Sequence, residues 1–412
     1  MSSERVPGMP SQKLLKDLRA LLEPFDHLHL LQEVASLEIE EIKQLHHQLK
    51  DYSGDLLFRQ RQALSVKRET QDLRPWLDVS IPLPSEKGEA AIFDGKVASV
   101  ILAGGQGTRL GWSGPKALYP IFPEQNITLL QILLQKVGHV SRGKAKAPPV
   151  AVMTSPLNHQ AIAKYVAHED GCGLKQEQLI LFPQKMLPLL DEQGNWFLEK
   201  PGQICMGPNG NGGVFNLLMT LGIFEKWKKA GIEYVTVVPI ENPLAEPFDL
   251  KQIDLLVKAK ADVVAKCIER IQPDEKVGVF AKQEGRLHVV EYSEMAEQEK
   301  CALDADGRLV WPYANIGQFA FSMDFIERMA TVPLPWHIAR KTANAWGKGE
   351  ISAIKCETFL FDVLPYAKNP KLLLYPREIS HAPLKNQSGD KSPEMVRAQY
   401  MHYHKSMINS PS

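Results

Sequence analysis

The sequence predicts an α/β protein in which a mostly parallel mixed sheet is flanked by helices and preceded by an N-terminal helical region. Three observations carry this. Beyond about residue 84, short β-branched runs alternate with helix-length amphipathic stretches. From Lys13 to about Lys50 the apolar side chains fall instead at helical spacing. One apolar strand, Val97–Leu102, runs straight into Gly104, Gly105 and Gly107.

Taken in order, Leu14, Leu15, Leu18, Leu21 and Leu22, then Leu28, Leu31, Val34, Leu37, Ile39, Ile42 and Leu45, mark the helical region, with Ser11 as a cap and Pro24 as an interruption. A proline-bearing connector follows from Pro75 to Pro84. The expected strands are Val97–Leu102, Val150–Met153, Leu179–Phe182, Tyr234–Ile240 and Val263–Ile268. Between them lie helices at Ile127–Val140, Asn158–His168, Val214–Lys229 and Leu250–Lys260. An antiparallel pair, Val277–Ala281 and Leu287–Tyr292, is expected to turn at Gly285. This divides the chain into a helical region (1–75), a main domain (76–390) and a short C-terminal tail (391–412).

Composition excludes several classes. The 412 residues allow two or three domains, and 48 basic against 48 acidic side chains leave no net charge to hold nucleic acid or an anionic membrane. Five widely spaced cysteines (Cys172, Cys205, Cys267, Cys301, Cys356) form neither a disulfide framework nor a zinc ribbon. Met1–Pro10 carries no apolar signal core and no run reaches the ~18 apolar residues of a span. The expectation is a cytoplasmic protein without membrane or nucleic-acid partners. His46, His47, His402 and His404 read as surface histidines, and Lys144 with Lys146 as a solvated loop.

The chemistry-bearing segment is Leu102–Gly111 (LAGGQGTRLG) followed by Pro115–Lys116. Glycines let the backbone approach a ligand and turn N–H groups towards it, which makes an anion cradle. Arg109 adds a planar fork for phosphate oxygens and Lys116 a compact charge. The run is neither a Walker A loop, since no G-x-x-x-x-G-K-[ST] occurs, nor a dinucleotide fingerprint, since the sixth position counted from Gly105 is Leu110.

This loop resembles the signature of the UDP-sugar pyrophosphorylase family, most closely its eukaryotic-type N-acetylglucosamine members, and further segments follow in that family's order over residues 95 to 395. The resemblance implies a Rossmann-like nucleotidyltransferase domain with Gly104, Gly105, Gly107 and Thr108 around the nucleotide phosphates. In Phe182–Pro188 it implies that Gln184 reads the uracil edge, for which an amide offers one donor and one acceptor. In Met206–Gly213 it implies Gly210 at the base and Asn211 at the sugar. Gly278, Glu291 and Asn315 correspond to hexose-binding positions. Phe359 and Phe361, alternating onto one face of a strand, would shape the sugar pocket, and Lys385 would reach the phosphates. Where the family carries Asp-Asn, with Asp on Mg²⁺, this chain has Glu241-Asn242, a hard oxygen ligand lengthened by one methylene. Fewer than 30 residues follow Asn386, so little of the C-terminal domain of larger members is expected.

The implied reaction is uridylyl transfer: a sugar 1-phosphate attacks the α-phosphorus of UTP, giving a UDP-sugar and pyrophosphate. N-acetylglucosamine 1-phosphate is the favoured acceptor. Glucose 1-phosphate, galactose 1-phosphate and a non-catalytic nucleotide-sugar binder remain as alternatives.

Overall fold

The computed structural model describes residues 12–23, 30, 37–50, 52, 54–65, 72–142 and 146–409. The chain divides into two compact units: Thr70–Gln184, Asn211–Leu334 and Leu360–Ser412 form the larger, and Met1–Glu69, Lys185–Gly210 and Pro335–Phe359 the smaller.

The larger unit is built on a ten-stranded mixed sheet. Its strands are β1 (Arg74–Pro75), β2 (Val97–Leu102), β3 (Val150–Thr154), β4 (Leu179–Pro183), β5 (Tyr234–Pro239), β6 (Val263–Glu269), β7 (Val279–Gln283), β8 (Arg286–Val290), β9 (Tyr313–Ser322) and β10 (Pro370–Leu374). Four neighbours, β5-β2-β3-β4, run parallel. Their runs read as continuously apolar because helices cover both faces, and Val97, Ala98, Val100 and Ile101 of β2 are fully buried. The helix Leu129–Ser141 starts where Thr128 accepts the Gln131 N–H at 3.1 Å and buries Leu129, Leu130, Leu133, Leu134 and Val137. Each such side chain contributes about 1.5–3 kcal/mol.

Chain order places the site. β2, β3 and β4 step in one direction, whereas β5 returns to the other side of β2, so a crevice opens at the carboxyl ends of β2 and β5. On the far edge of β5, β9 runs antiparallel. Where β9 meets β6 the register jumps: Ala265 pairs with Phe319 but Cys267 with Asn315, leaving extra residues of β9 opposite Lys266. Gly317, at φ 71°, lies in this bulge. The expected hairpin is β7-β8, turning through Glu284 and Gly285, both left-handed.

In the smaller unit the helices Gln12–Leu22, Ile39–Lys50 and Gly54–Ser65 share a core with the later segments. Leu18, Leu22, Ile42, Leu45 and Leu49 join Leu190, Trp196, Leu198, Ile204 and Ile354. Gln60 accepts the Trp196 indole N–H at 2.8 Å and donates to the Pro188 carbonyl at 2.9 Å. An antiparallel hairpin, His337–Ala345 with Gly349–Glu357, completes it.

These units differ from the three consecutive blocks read from the sequence. The helical region does not stand alone, because its apolar stripe is covered by chain from 185–210 and 335–359. The segment expected as a tail instead carries the helix Pro393–Asn409, which buries Val396 in the larger unit's core, and Arg397 Nη1 donates to the Ile121 carbonyl at 3.3 Å. The expected helix Val214–Lys229 breaks at Gly222, whose φ is 70°. Ser11, Pro24, Leu28, Leu31, Val34 and Lys144 lie outside the described residues.

Candidate functional site

The glycine loop leaves β2 at Ala103 and folds back on itself through Gly107 N–H to the Gly114 carbonyl and Lys116 N–H to the Gly105 carbonyl, both 3.1 Å. The N–H groups of Gly104, Gly105, Gln106, Thr108 and Arg109 donate to no acceptor among the described residues. Five uncommitted donors in one loop form a cradle for an anion. The three glycines differ in what they permit. A Cβ on Gly104 would meet Gln184 Nε2 at 2.3 Å and one on Gly107 would meet Trp112 Cδ1 at 2.5 Å, whereas one on Gly105 would project into open space. Arg109 is exposed and Lys116 partly so, and neither pairs with a carboxylate among the described residues. Their charge is therefore available to a ligand.

Gln184 follows β4 and is tied down through its N–H to the Thr154 carbonyl at 2.8 Å. Its amide packs against Gly104 and makes no protein hydrogen bond among the described residues, so both its donor and its acceptor are open.

Across the crevice, Ile240 N–H bonds the Leu102 carbonyl at 3.1 Å, which sets Glu241 beside the start of the loop. Leu384 N–H donates to the Glu241 carbonyl at 2.8 Å and so brings Lys385 to the same strand end. Neither the Glu241 carboxylate nor the Lys385 ammonium has a charged partner among the described residues.

Continuing along the edge, Asn315 N–H donates to the Gly278 carbonyl at 2.8 Å, and Asn315 Oδ1 accepts the Gly317 N–H at 2.9 Å, leaving its NH₂ for a ligand. A Cβ on Gly278 would lie 2.8 Å from Glu291 Oε1, so the missing side chain makes room for that carboxylate. Asn211 Oδ1 accepts the Leu360 N–H at 2.8 Å. The larger unit thus sets Gly104, Gly105, Gly107, Thr108, Arg109 and Lys116 in the loop after β2, Gln184 after β4, Glu241 after β5 with Lys385 beside it, and Glu291 after β8, while Gly278 and Asn315 meet at the amino ends of β7 and β9.

Two expected residues belong to the smaller unit. Gly210 has φ 85° and a Cβ there would lie 2.3 Å from the Thr358 carbonyl, so only glycine fits. The Phe359 ring lies 4.5 Å from that of His337. Phe359 and Phe361 do not alternate on a strand, contrary to the reading of their spacing. The strand ends at Glu357, and a 3₁₀ segment, Leu360–Tyr366, follows, its first N–H taken by Asn211. Phe361 is buried within it.

A family model described as UTP–glucose-1-phosphate uridylyltransferase matches residues 60–386. The chain belongs to this family. It is a family of nucleotidyltransferases. An Arabidopsis thaliana protein named UDP-N-acetylglucosamine diphosphorylase 2 is 32% identical over 77% of this chain and 67% of its own length. A Mus musculus protein named UDP-N-acetylhexosamine pyrophosphorylase-like protein 1 is 32% identical over 94% of this chain and 81% of its own. The structure of the Trypanosoma brucei uridine diphosphate N-acetylglucosamine pyrophosphorylase superposes with a TM-score of 0.81, at 26% identity, over 97% of this chain and 87% of that one.

Sequence reasoning missed the residues that shape the loop. Asn158 precedes the helix His159–His168, yet its side chain does not cap it. Its Nδ2 donates to the Ala103 and Gly105 carbonyls at 3.0 and 3.3 Å, and its Oδ1 accepts the Ser155 N–H at 2.7 Å. Trp112 fills the space beside Gly107 and donates from its indole to the Pro115 carbonyl at 3.2 Å. Nothing local distinguishes Asn158 from a capping asparagine. For a divalent cation, the described residues include no cluster of three His, Cys, Asp or Glu side chains. Glu241 offers one hard oxygen donor, which fits Mg²⁺, an ion bound through one or two carboxylates together with substrate phosphates and water.

Proposed function

We propose that this chain is a UTP:sugar-1-phosphate uridylyltransferase whose preferred acceptor is N-acetylglucosamine 1-phosphate. The observation that carries this is the set of uncommitted loop N–H groups beside the unpaired Arg109 and Lys116, at a strand end shared with Glu241 and Lys385. Such a set serves a reaction between two polyanions, in which positioning and charge neutralisation do most of the work.

The sugar phosphate oxygen attacks the α-phosphorus of UTP and pyrophosphate leaves in line. The nucleophile is already an anion at neutral pH, so no general base is needed. Gly104, Gly105, Gly107 and Thr108 hold the nucleotide phosphates. Arg109 and Lys116 stabilise charge on the α-phosphate and the departing pyrophosphate, and Lys385 neutralises the incoming phosphate. Gln184 pairs with uracil, supported by its open amide. Asn211, Gly278, Glu291 and Asn315 fix the hexose, with Phe361 as apolar wall. Glu241 would hold Mg²⁺, which supplies further charge neutralisation on the phosphates. The names of the relatives support the N-acetyl sugar, while the family description names glucose 1-phosphate. No described helix is long and apolar enough to cross a membrane, and with five unpaired thiols this supports a cytoplasmic setting.

The test is pyrophosphate release from UTP with N-acetylglucosamine, N-acetylgalactosamine, glucose and galactose 1-phosphates, with and without a chelator. N-acetylglucosamine 1-phosphate is expected to give the highest kcat/KM. Smaller activity with glucose 1-phosphate is also expected, because a pocket sized for N-acetyl rejects the hydroxyl by only ~1–3 kcal/mol. A tenfold advantage for glucose or galactose 1-phosphate reassigns the sugar, retention of activity after chelation removes the metal, and absence of release with all four removes the reaction.

A further inference from the structure

Lys385 arrives on the irregular segment that follows Ser380, and buried side chains with no part in the chemistry above stitch this segment to the end of β5. Asn242, 1% exposed, donates from Nδ2 to the Ser380 carbonyl at 2.7 Å and accepts the Ala382 N–H at 3.0 Å. Two residues on, Leu384 N–H reaches the Glu241 carbonyl. A second donor to the Ser380 carbonyl is Gln318 Nε2, at 3.1 Å.

Gln318 is fully buried, and its amide has one allowed sense. Lys266 Nζ donates to its Oε1 at 3.3 Å, which leaves the NH₂ for Ser380. Lys266 is fixed in turn. Its Nζ lies 2.6 Å from Asp249 Oδ2 and 4.6 Å from the centre of the Tyr375 ring, while the Tyr375 hydroxyl donates to Asp249. Asp249 also caps the helix Leu250–Lys258 by accepting the Gln252 N–H at 2.8 Å. The bulge in β9 makes this possible. With extra residues and the left-handed Gly317 opposite Lys266, one short stretch holds Asn315 to Gly278 and Gln318 to Lys266. A buried ion pair is a poor source of net stability, since apolar residues of similar volume commonly do as well; what it provides is a fixed orientation.

We propose that Gln318, oriented by Lys266, and Asn242 are positioning residues that set Lys385 against Glu241 for uridylyl transfer, an inference that rests on the function proposed above. The clamp should act on the acceptor phosphate and leave UTP binding, carried by the glycine loop and Gln184, unchanged.

The test is Gln318→Met in the full chain. It keeps the length of the side chain and leaves Ser380 its Asn242 donor and Lys266 its Asp249 partner, so the fold is retained. Hydrogen exchange at the Ala382 and Leu384 amides is expected to quicken by about tenfold or more, with the β2–β5 amides unchanged. Turnover with UTP and N-acetylglucosamine 1-phosphate is expected to fall about tenfold, with KM for UTP moving less than about twofold, a split that general destabilisation does not produce. Gln318→Glu, which places an acceptor where a donor is required, should lose as much. In a Lys385→Ala background Gln318→Met should cost little more, because it acts through Lys385. Unchanged exchange at the two amides overturns the clamp, and multiplying losses in the double variant overturn its action through Lys385. A wild-type chain that releases no pyrophosphate overturns the proposed function and the catalytic purpose of the clamp together, while the exchange measurement still decides whether the clamp exists.

Discussion

Gly104→Ala isolates the contact on which the proposed reading of uridine by Gln184 depends. A Cβ at this position would lie 2.3 Å from Gln184 Nε2, against 3.4 Å or more for ordinary contact. The atom met is the tip of a flexible side chain, so the fold accommodates the methyl, but the amide must retreat by about 1 Å. Hydrogen bonds span roughly 2.7–3.2 Å, and a retreat of that size breaks both pairings to a uracil edge. Losing such a buried pairing costs about 1–3 kcal/mol, roughly a 5- to 150-fold weaker complex. Gly104→Ala should therefore reproduce Gln184→Ala, with a raised Kd for UTP and a reduced preference for UTP over CTP. Gly105→Ala is the contrasting variant: its Cβ meets nothing in the protein, and Gly105 does not have a left-handed φ, so folding is undisturbed. The methyl projects into open space beside the cradle and should weaken UTP and CTP alike. The assays are calorimetric UTP binding and the ratio of kcat/KM for the two nucleotides. A Gly104→Ala protein with wild-type affinity and an unchanged UTP-to-CTP ratio would refute the reasoning, and selectivity lost only in Gly105→Ala would show that the base is read from the other side of the loop.

Arg109→Ala and Lys116→Ala should each lower turnover roughly 10²-fold or more with unchanged circular dichroism, since each removes a preorganised charge from the reacting phosphates; Lys at 109 or Arg at 116 should restore only part of it. Asp249→Asn leaves the Lys266 ammonium buried without its counter-charge. The carboxyl resists the effect of burial and is held below its usual range by Lys266 and by the bonds from Gln252 and Tyr375. Urea unfolding should show a loss of about 3–5 kcal/mol. His381 is buried with neither ring nitrogen hydrogen-bonded among the described residues, and burial first, then Arg377, Lys385 and Lys391, holds its pKa well below the ordinary value. The unfolded chain takes up this proton near pH 6.5 and the folded chain does not, so stability is full above that pH and falls as pH drops through it. His381→Phe should flatten that acid limb in part, with His404, also lowered by burial, keeping the remainder, and should not reduce stability at pH 7.5.

The elements legible in the chain are those whose causes are local. A β-branched run buried on both faces, a glycine cluster at its end, and an arginine and a lysine within one loop all lie in consecutive residues, so Val97–Lys116 could be read as a strand followed by an anion cradle. The same holds for the β7-β8 hairpin, whose turn is encoded by Glu284-Gly285, and for the helix Leu129–Ser141. Where an element depends on a distant partner, local pattern misleads. Phe359 and Phe361 have strand spacing, but Asn211, 149 residues before Leu360, takes the Leu360 N–H, and the strand ends short of them. The N-terminal helices show an apolar stripe without showing that 185–210 and 335–359 cover it.

The amino-acid sequence by itself determined the donors: which groups can hold phosphate, pair with a base or carry charge is a property of side-chain type and of a contiguous loop. The tertiary structure alone decided their convergence. Lys385 reaches the strand end of Glu241 because Leu384 N–H bonds the Glu241 carbonyl and because Asn242 and Gln318 bind the Ser380 carbonyl 138 and 62 residues away, and Asn315 reaches Gly278 across the β7-β9 pair. Asn158 became a brace for the glycine loop, 55 residues distant, instead of a helix cap. A buried amide bonds whatever polar backbone the packed chain brings within about 3 Å of it, and that proximity is set by the packing of the whole sheet, so no window of neighbouring residues contains it.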